Sequence, residues 1–291
     1  MNPEILRSQE DASVNFIWKG EYPGMLEARY VRRSPDYFVC YLSSQTGCRQ
    51  GCKFCHLTAT KQTSLIDVPI TDIINQAKTI LEYAATQAPS KVVHFSFMSR
   101  GEVLANHYVL NNSRDLLTQL YDLSREYALV PRYMVSTIMP RSIEDKSLWE
   151  IFPFITPTIY YSIYTMNPDF RKRWMPNAMD PNLALDKLVD YQKITGKLVR
   201  LHWAFIKDEN DSDNDVRGII HAVRTRKLRV DVNIVRYNPE NPNLGKEAPE
   251  EIVQARAEIL RKELPNSFVK VVTRVGFDVF SSCGMFYNTK K

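Results

Sequence analysis

Two hydrophobic rhythms alternate along this chain. Short runs rich in β-branched and aromatic residues recur as YFVCYLS from Tyr37, KVVHFSFM from Lys91, RYMVST from Arg132 and TIYYSIY from Thr158. They continue as KLVRLHWAF from Lys197, RVDVNIV from Arg229 and SFVKVVTR from Ser267. Such runs predict strands. Between them, apolar residues fall at helical spacing in ITDIINQAKTILEYAA from Ile70, with Pro69 just before it, and in RDLLTQLYDLSREY from Arg114. LALDKLVDYQKIT from Leu183 and PEEIVQARAEILRKEL from Pro249 behave likewise. These segments predict helices.

Alternating strands and helices are the mark of βαβ units around a parallel sheet. About six such units from Tyr37 onward predict an α/β fold, a partial (β/α)6 barrel. It would occupy residues 37–291 and end in a C-terminal segment carrying a cysteine, with residues 1–36 as a short N-terminal extension. No linker or internal repeat divides the chain. In barrels of this kind the chemistry sits on loops after the strands.

Composition narrows the class. The 291 residues are 44% hydrophobic and 24% charged, a globular balance that argues against disorder. The charged start, MNPEILRSQEDASVNF, is unlike a signal peptide, and no run approaches the roughly 20 apolar residues of a membrane helix. A soluble cytoplasmic protein is expected. Five cysteines, an odd number, do not form a secreted disulfide framework. The net charge of +5 permits an anionic partner such as RNA without requiring one.

Four of those cysteines lie in CYLSSQTGCRQGCKFC, Cys40 to Cys55, directly after the first long strand. Cys48, Cys52 and Cys55 form C-x3-C-x2-C, three soft ligands suited to zinc or to an iron–sulfur cluster. A structural zinc site wants a fourth ligand. His56 is available, but its neighbour Cys55 makes the geometry awkward. A cluster held by three cysteines leaves one iron open to a small molecule.

This spacing in this strand context resembles the radical-SAM superfamily, whose open iron binds the amino and carboxylate groups of S-adenosylmethionine. SSQTGCRQGCKFC further resembles the cluster motif of the RlmN/Cfr family, radical-SAM enzymes that methylate an adenine ring carbon in RNA. SRGEVLAN, VSTIMPRSI, YYSIYTMNPDFR, RYNPENP and VTRVGFDVFSSCGMF match further family segments in the same order, so the likeness runs from about Glu27 to Phe286. The resemblance implies a [4Fe-4S] cluster on Cys48, Cys52 and Cys55. It implies S-adenosylmethionine contacts from Gly101, Glu102, Ser136, Ser162, Tyr164 and Asn238. Cys283 matches the cysteine that takes a methyl group, Cys40 is the one candidate for the resolving cysteine that forms a disulfide with it, and Glu27 aligns with an acid–base carboxylate. Carbon 2 of adenine is expected ahead of carbon 8. The expected partners are an RNA substrate (tRNA or rRNA) and an electron-donor protein such as a flavodoxin, with the enzyme a monomer.

The chain departs from the family pattern in several places. Tyr164 stands where the family has His, though a phenol still donates and accepts hydrogen bonds. Cys40 lies one residue farther from the cluster than the family's resolving cysteine, and strict spacing puts Tyr41 there. On a strand, one residue turns a side chain to the opposite face. Either a bulge restores the direction or Cys40 is an ordinary buried cysteine. CHLTATKQ is one residue longer than the matching loop, and the family's N-terminal RNA-binding accessory domain is expected to be largely missing. Recognition would then fall to the barrel, with YVRRSP, DFRKRW and VRTRKLR as candidate RNA contacts. Two rivals remain: a radical-SAM enzyme running a different reaction on a nucleotide or RNA, and a non-catalytic RNA-binding protein with structural zinc.

Overall fold

The structure, a computed structural model, describes residues 2–20 and 23–289. They form one ten-stranded sheet whose order in space is its order in sequence. Strands β1 (Glu4–Arg7), β2 (Val14–Lys19) and β3 (Met25–Ser34) are an antiparallel meander, and β3 pairs antiparallel with β4 (Tyr37–Tyr41). From β4 onward every pairing is parallel, through β5 (Val92–Phe97), β6 (Val130–Thr137), β7 (Thr158–Tyr161), β8 (Val199–Ala204), β9 (Val230–Val235) and β10 (Val269–Val271). Each of the seven expected strands is present. Among the described residues nothing pairs β10 back to β4, so the barrel stays open along that side.

Helices fill the crossovers. The short α1 (His56–Ala59) and α2 (Ile70–Ala85) join β4 to β5, α3 (His107–Glu126) joins β5 to β6, and α4 (Leu148–Ile151) joins β6 to β7. Then come α5 (Pro168–Trp174) and α6 (Pro181–Thr195) before β8, α7 (Asp213–Thr225) before β9, and α8 (Glu250–Glu263) before β10. This gives the expected (β/α)6 pattern followed by one more strand. In α2 the apolar positions Ile73, Ala77, Ile80 and Leu81 are fully buried. A side chain the size of Ile or Leu gains about 1.5–3 kcal/mol from such burial. Among the described residues no helix is long and apolar enough to cross a membrane.

Strand pleat decides what reaches the barrel interior. Tyr37, Val39 and Tyr41 of β4 face the lumen, while Phe38 and Cys40 turn to the other side and join the core. The same alternation in β8 sends Arg200 and His202 inward.

Candidate active site

The lumen opens at the C-terminal ends of the strands onto a cavity where the cysteine motif gathers. Cys48, Cys52 and Cys55 all line it. Their loop is fixed by backbone bonds: Cys48 N donates to Gln62 O at 3.2 Å, Lys53 N to Trp174 O at 2.9 Å, and Cys55 N to Cys52 O at 3.1 Å. The Phe54 ring stacks on Tyr164 with centroids 4.1 Å apart and planes 12° off parallel. Burial raises all three thiols, Cys48 to about 12, so metal uptake would release protons.

The donor set fits an iron–sulfur cluster better than zinc. Among the described residues, no three His, Cys, Asp or Glu side chains close around a single ion. A tetrahedral zinc would need its thiolates about 2.3 Å from one point. In a cluster each thiolate takes its own iron, so three cysteines lining one cavity are suited to it. His56 is engaged elsewhere, with Nε2 3.0 Å from Asn238 O.

The residues expected to meet S-adenosylmethionine surround the same cavity: Gly101, Glu102, Ser136, Ser162, Tyr164 and Asn238 all line it. They come from the ends of β5, β6, β7 and β9. Gly101 has φ +96, and a Cβ there would lie 2.6 Å from Gln45 Cβ, so only glycine fits. The Glu102 carboxylate accepts from Leu104 N and Ile138 N, each at 3.1 Å, tying the end of β5 to that of β6. Burial pushes its carboxyl up to about 7, against the pull of Ile138 N, Thr137 and Leu104 N. A bound ammonium would draw it back toward the ionised form. Tyr164 is itself strained, at φ +57. Asn238 does two things: its Nδ2 donates to Cys283 O at 2.9 Å and to Ser282 Oγ at 3.1 Å, while its buried Oδ1 has no partner.

Cys283 lines this cavity and also a second chamber inside the barrel. Its Sγ lies 3.7 Å from Nε2 of His202, a contact the sequence did not announce. Burial, with Arg33 adding to it, depresses His202 to about 4, so the ring is neutral. Burial, with Cys55 next, raises the Cys283 thiol to about 11.

Two of the expected residues stand apart from the cavity. Glu27 does not line the cavity and is paired with two arginines. It is fully buried, with Oε1 2.7 Å from Arg100 Nε and Oε2 3.1 Å from Arg29 Nη2. Burial alone would raise its carboxyl, but Arg100, then Arg29 and Asn15, outweigh it and hold the group below the ordinary range. What the ion triad does is hold the cysteine segment. Tyr287 N donates to Glu27 Oε1 at 3.1 Å, Arg29 Nη2 to Met285 O at 2.7 Å, and Arg100 Nη2 to Tyr287 O at 2.7 Å. Cys40 is the second such residue. It is fully buried and lines neither cavity, because the pleat of β4 turns it away from the lumen. The one irregularity nearby is a register shift in β3 between Arg32 and Ser34, which leaves the direction of Cys40 unchanged. Cys40 and Cys283 are both free thiols, and the expected disulfide does not form in this structure.

Comparison with known proteins gives the same picture. No family model matches the chain. The probable dual-specificity RNA methyltransferase RlmN of Aquifex aeolicus is 25% identical over 285 residues, covering 96% of this chain and 77% of its own length. The ribosomal RNA large subunit methyltransferase Cfr of Staphylococcus aureus is 28% identical over 254 residues, covering 84% of this chain and 68% of itself. Among solved structures, a radical SAM methyltransferase from Sphaerobacter thermophilus superposes with a TM-score of 0.78 over 98% of this chain and 80% of its own, at 19% identity. That likeness concerns the fold. The resemblance to the RlmN/Cfr family therefore extends over nearly the whole chain.

Proposed function

We propose that this protein is a radical SAM methyltransferase acting on RNA, which methylates an adenine ring carbon, carbon 2 ahead of carbon 8, by way of a methyl group carried on Cys283. One observation carries the reading: Cys283 lines a single cavity together with the three motif cysteines and the expected S-adenosylmethionine residues. When bound, a four-iron cluster would supply the electron that cleaves S-adenosylmethionine to a carbon radical. Cys48, Cys52 and Cys55 are the residues to hold it.

The protein's own groups divide the remaining work. Glu102 faces the cavity as the carboxylate for the methionine ammonium, a charge-assisted contact. For the first methyl transfer the Cys283 sulfur forms a bond to the methyl carbon, the sulfonium–methyl bond breaks, and S-adenosylhomocysteine leaves. The thiol proton must go elsewhere, and His202 Nε2 is the acceptor at hand. Asn238 fixes the Cys283 backbone for that attack. Tyr164 takes the family's His position with a neutral phenol, its ionisation pushed well up by burial. The partners we propose are tRNA or rRNA and a flavodoxin-type electron donor, for a monomer in the cytoplasm, where five free thiols suit a reducing environment.

The placement of Cys40 favours a second reading. With Cys40 turned away from the cavity that Cys283 lines, the same cofactors could serve a different radical reaction on a nucleotide or RNA. Peptide mass spectrometry on anaerobically purified protein separates the two. The first reading expects a methyl group on Cys283, absent from Cys283→Ala and retained in Cys40→Ala. An unmodified Cys283 in protein that cleaves S-adenosylmethionine would sink it in favour of the second.

A further inference from the structure

Behind Cys283, away from the motif cysteines, the barrel lumen encloses a chamber of about 390 Å³, within the usual range for small-molecule sites. It holds an unusual share of the protein's unsatisfied polar atoms. Arg29 Nε, Ser96 Oγ, His202 Nδ1, Asn233 Oδ1 and Ser281 Oγ are buried without a hydrogen-bond partner, and all five residues line this chamber. A buried donor or acceptor left unpaired costs about 1–3 kcal/mol. Five around one space describe a site that awaits a ligand rich in donors and acceptors.

The wall also carries charge of one sign. Among the described residues Arg29, Arg33, Arg200 and Lys270 line the chamber and no carboxylate does. Arg29 and Arg200 have carboxylate partners outside the lining, Glu27 and Asp231. Arg33 and Lys270 are exposed, and among the described residues neither forms a salt bridge. They stand on β3 and β10, on either side of the gap in the barrel, where Arg33 Nη1 reaches across to Thr273 O at 3.0 Å. Phe268, 62% exposed, offers a ring beside Lys270, and Tyr160 supplies an aromatic face within. An apolar ligand would leave the inner atoms unpaired, and a cation would be repelled. The ligand these walls fit is a flat, hydrogen-bonding heterocycle attached to an anion.

We infer that this chamber binds the nucleotide to be modified, entering base first between β3 and β10, with its base edge on Asn233, Ser96 and His202 and its phosphate at Arg33 and Lys270. Cys283 then stands between two ligands, each in its own compartment. The inference rests on the proposed function and adds where, and by which residues, that substrate is read. Its chemistry is that of a nucleoside monophosphate, whether free or as one residue of an RNA.

Calorimetric titration of anaerobically purified, cluster-loaded protein with adenosine monophosphate and with a short single-stranded oligoribonucleotide tests this, with S-adenosylmethionine titrated in parallel. At least one probe should bind, and both Asn233→Leu and the exposed double variant Arg33→Glu/Lys270→Glu should weaken it by about tenfold or more. S-adenosylmethionine affinity should not change. Binding of the oligoribonucleotide alone would identify an RNA residue as the occupant, and comparable binding of the monophosphate a free nucleotide. If a probe binds and the rim variant leaves its affinity intact, or if neither probe binds while S-adenosylmethionine does, the chamber is not the nucleotide site. Failure of the wild-type protein to bind or cleave S-adenosylmethionine would instead overturn the proposed function itself.

Discussion

The two segments that bring sulfur to the site are held in opposite ways. The loop of Cys48, Cys52 and Cys55 is fastened largely by backbone hydrogen bonds, some within the motif and others to neighbouring loops. The segment around Cys283 contains no helix or strand and, apart from His56 N donating to Gly284 O at 3.0 Å, is held to the rest of the fold largely by side chains from distant parts of the chain. Asn15, Arg29, Arg100 and Asn238 each donate to one of its carbonyl groups, and Glu27 accepts from Tyr287 N. The first device tolerates loss of a single side chain. The second depends on one buried carboxylate that balances two arginines.

The largest effect that would break this contrast is expected at Glu27. Glu27→Ala leaves Arg29 and Arg100 buried without their counter-ion, which should cost about 3–5 kcal/mol in chemical denaturation. A loss under about 1 kcal/mol would show that the Cys283 segment does not depend on the triad. An intermediate effect should come from Glu102 and sharpens the contrast on the cofactor side. Burial pushes its carboxyl up to about 7. A bound ammonium favours the ionised form, so affinity for S-adenosylmethionine should level off above that pH. Below it, affinity should fall by up to about tenfold per pH unit. Calorimetry from pH 8 to 6 checks the sign, and an affinity constant over that range would remove Glu102 from the ammonium contact. The smallest effect is expected in the cysteine loop. Asn177 donates to Arg49 O and Gln50 O from an exposed position, and Asn177→Ala should cost no more than about 1 kcal/mol with iron content unchanged.

How far the sequence discloses a feature follows the same division. The motif cysteines are neighbours in the chain, so spacing alone groups them. The seven parallel strands are equally legible, because each packs a β-branched run between layers. The start of α3 is not: the polar stretch Asn111, Asn112 and Ser113 interrupts its periodicity, and Asn112 is non-helical at φ −137. The helix begins seven residues before the expected Arg114, at His107, where the Asn106 side chain caps it. Strands β1 to β3 and helix α7 also escape the pattern. His202 carries a faint signal, as a polar residue two positions from Arg200 on an otherwise apolar strand. Arg100 carries none, since its partner Glu27 lies 73 residues away and only the folded sheet brings them together. The direction of Cys40 turns on a single residue of register, which spacing cannot resolve unless the pleat is known.

Because the sheet is laid down in sequence order, each strand emerging from the ribosome finds its partner already made. The Cys283 segment is the exception, since it must reach back to β2 and β3 across the complete barrel. Assembly therefore has a built-in order: scaffold and cysteine loop can form while residues 273–289 are still being made, and the compartment behind Cys283 is sealed only when they dock. A chain stalled before that point would be a folded barrel with an open lumen, its three-cysteine loop in place and its last cysteine missing.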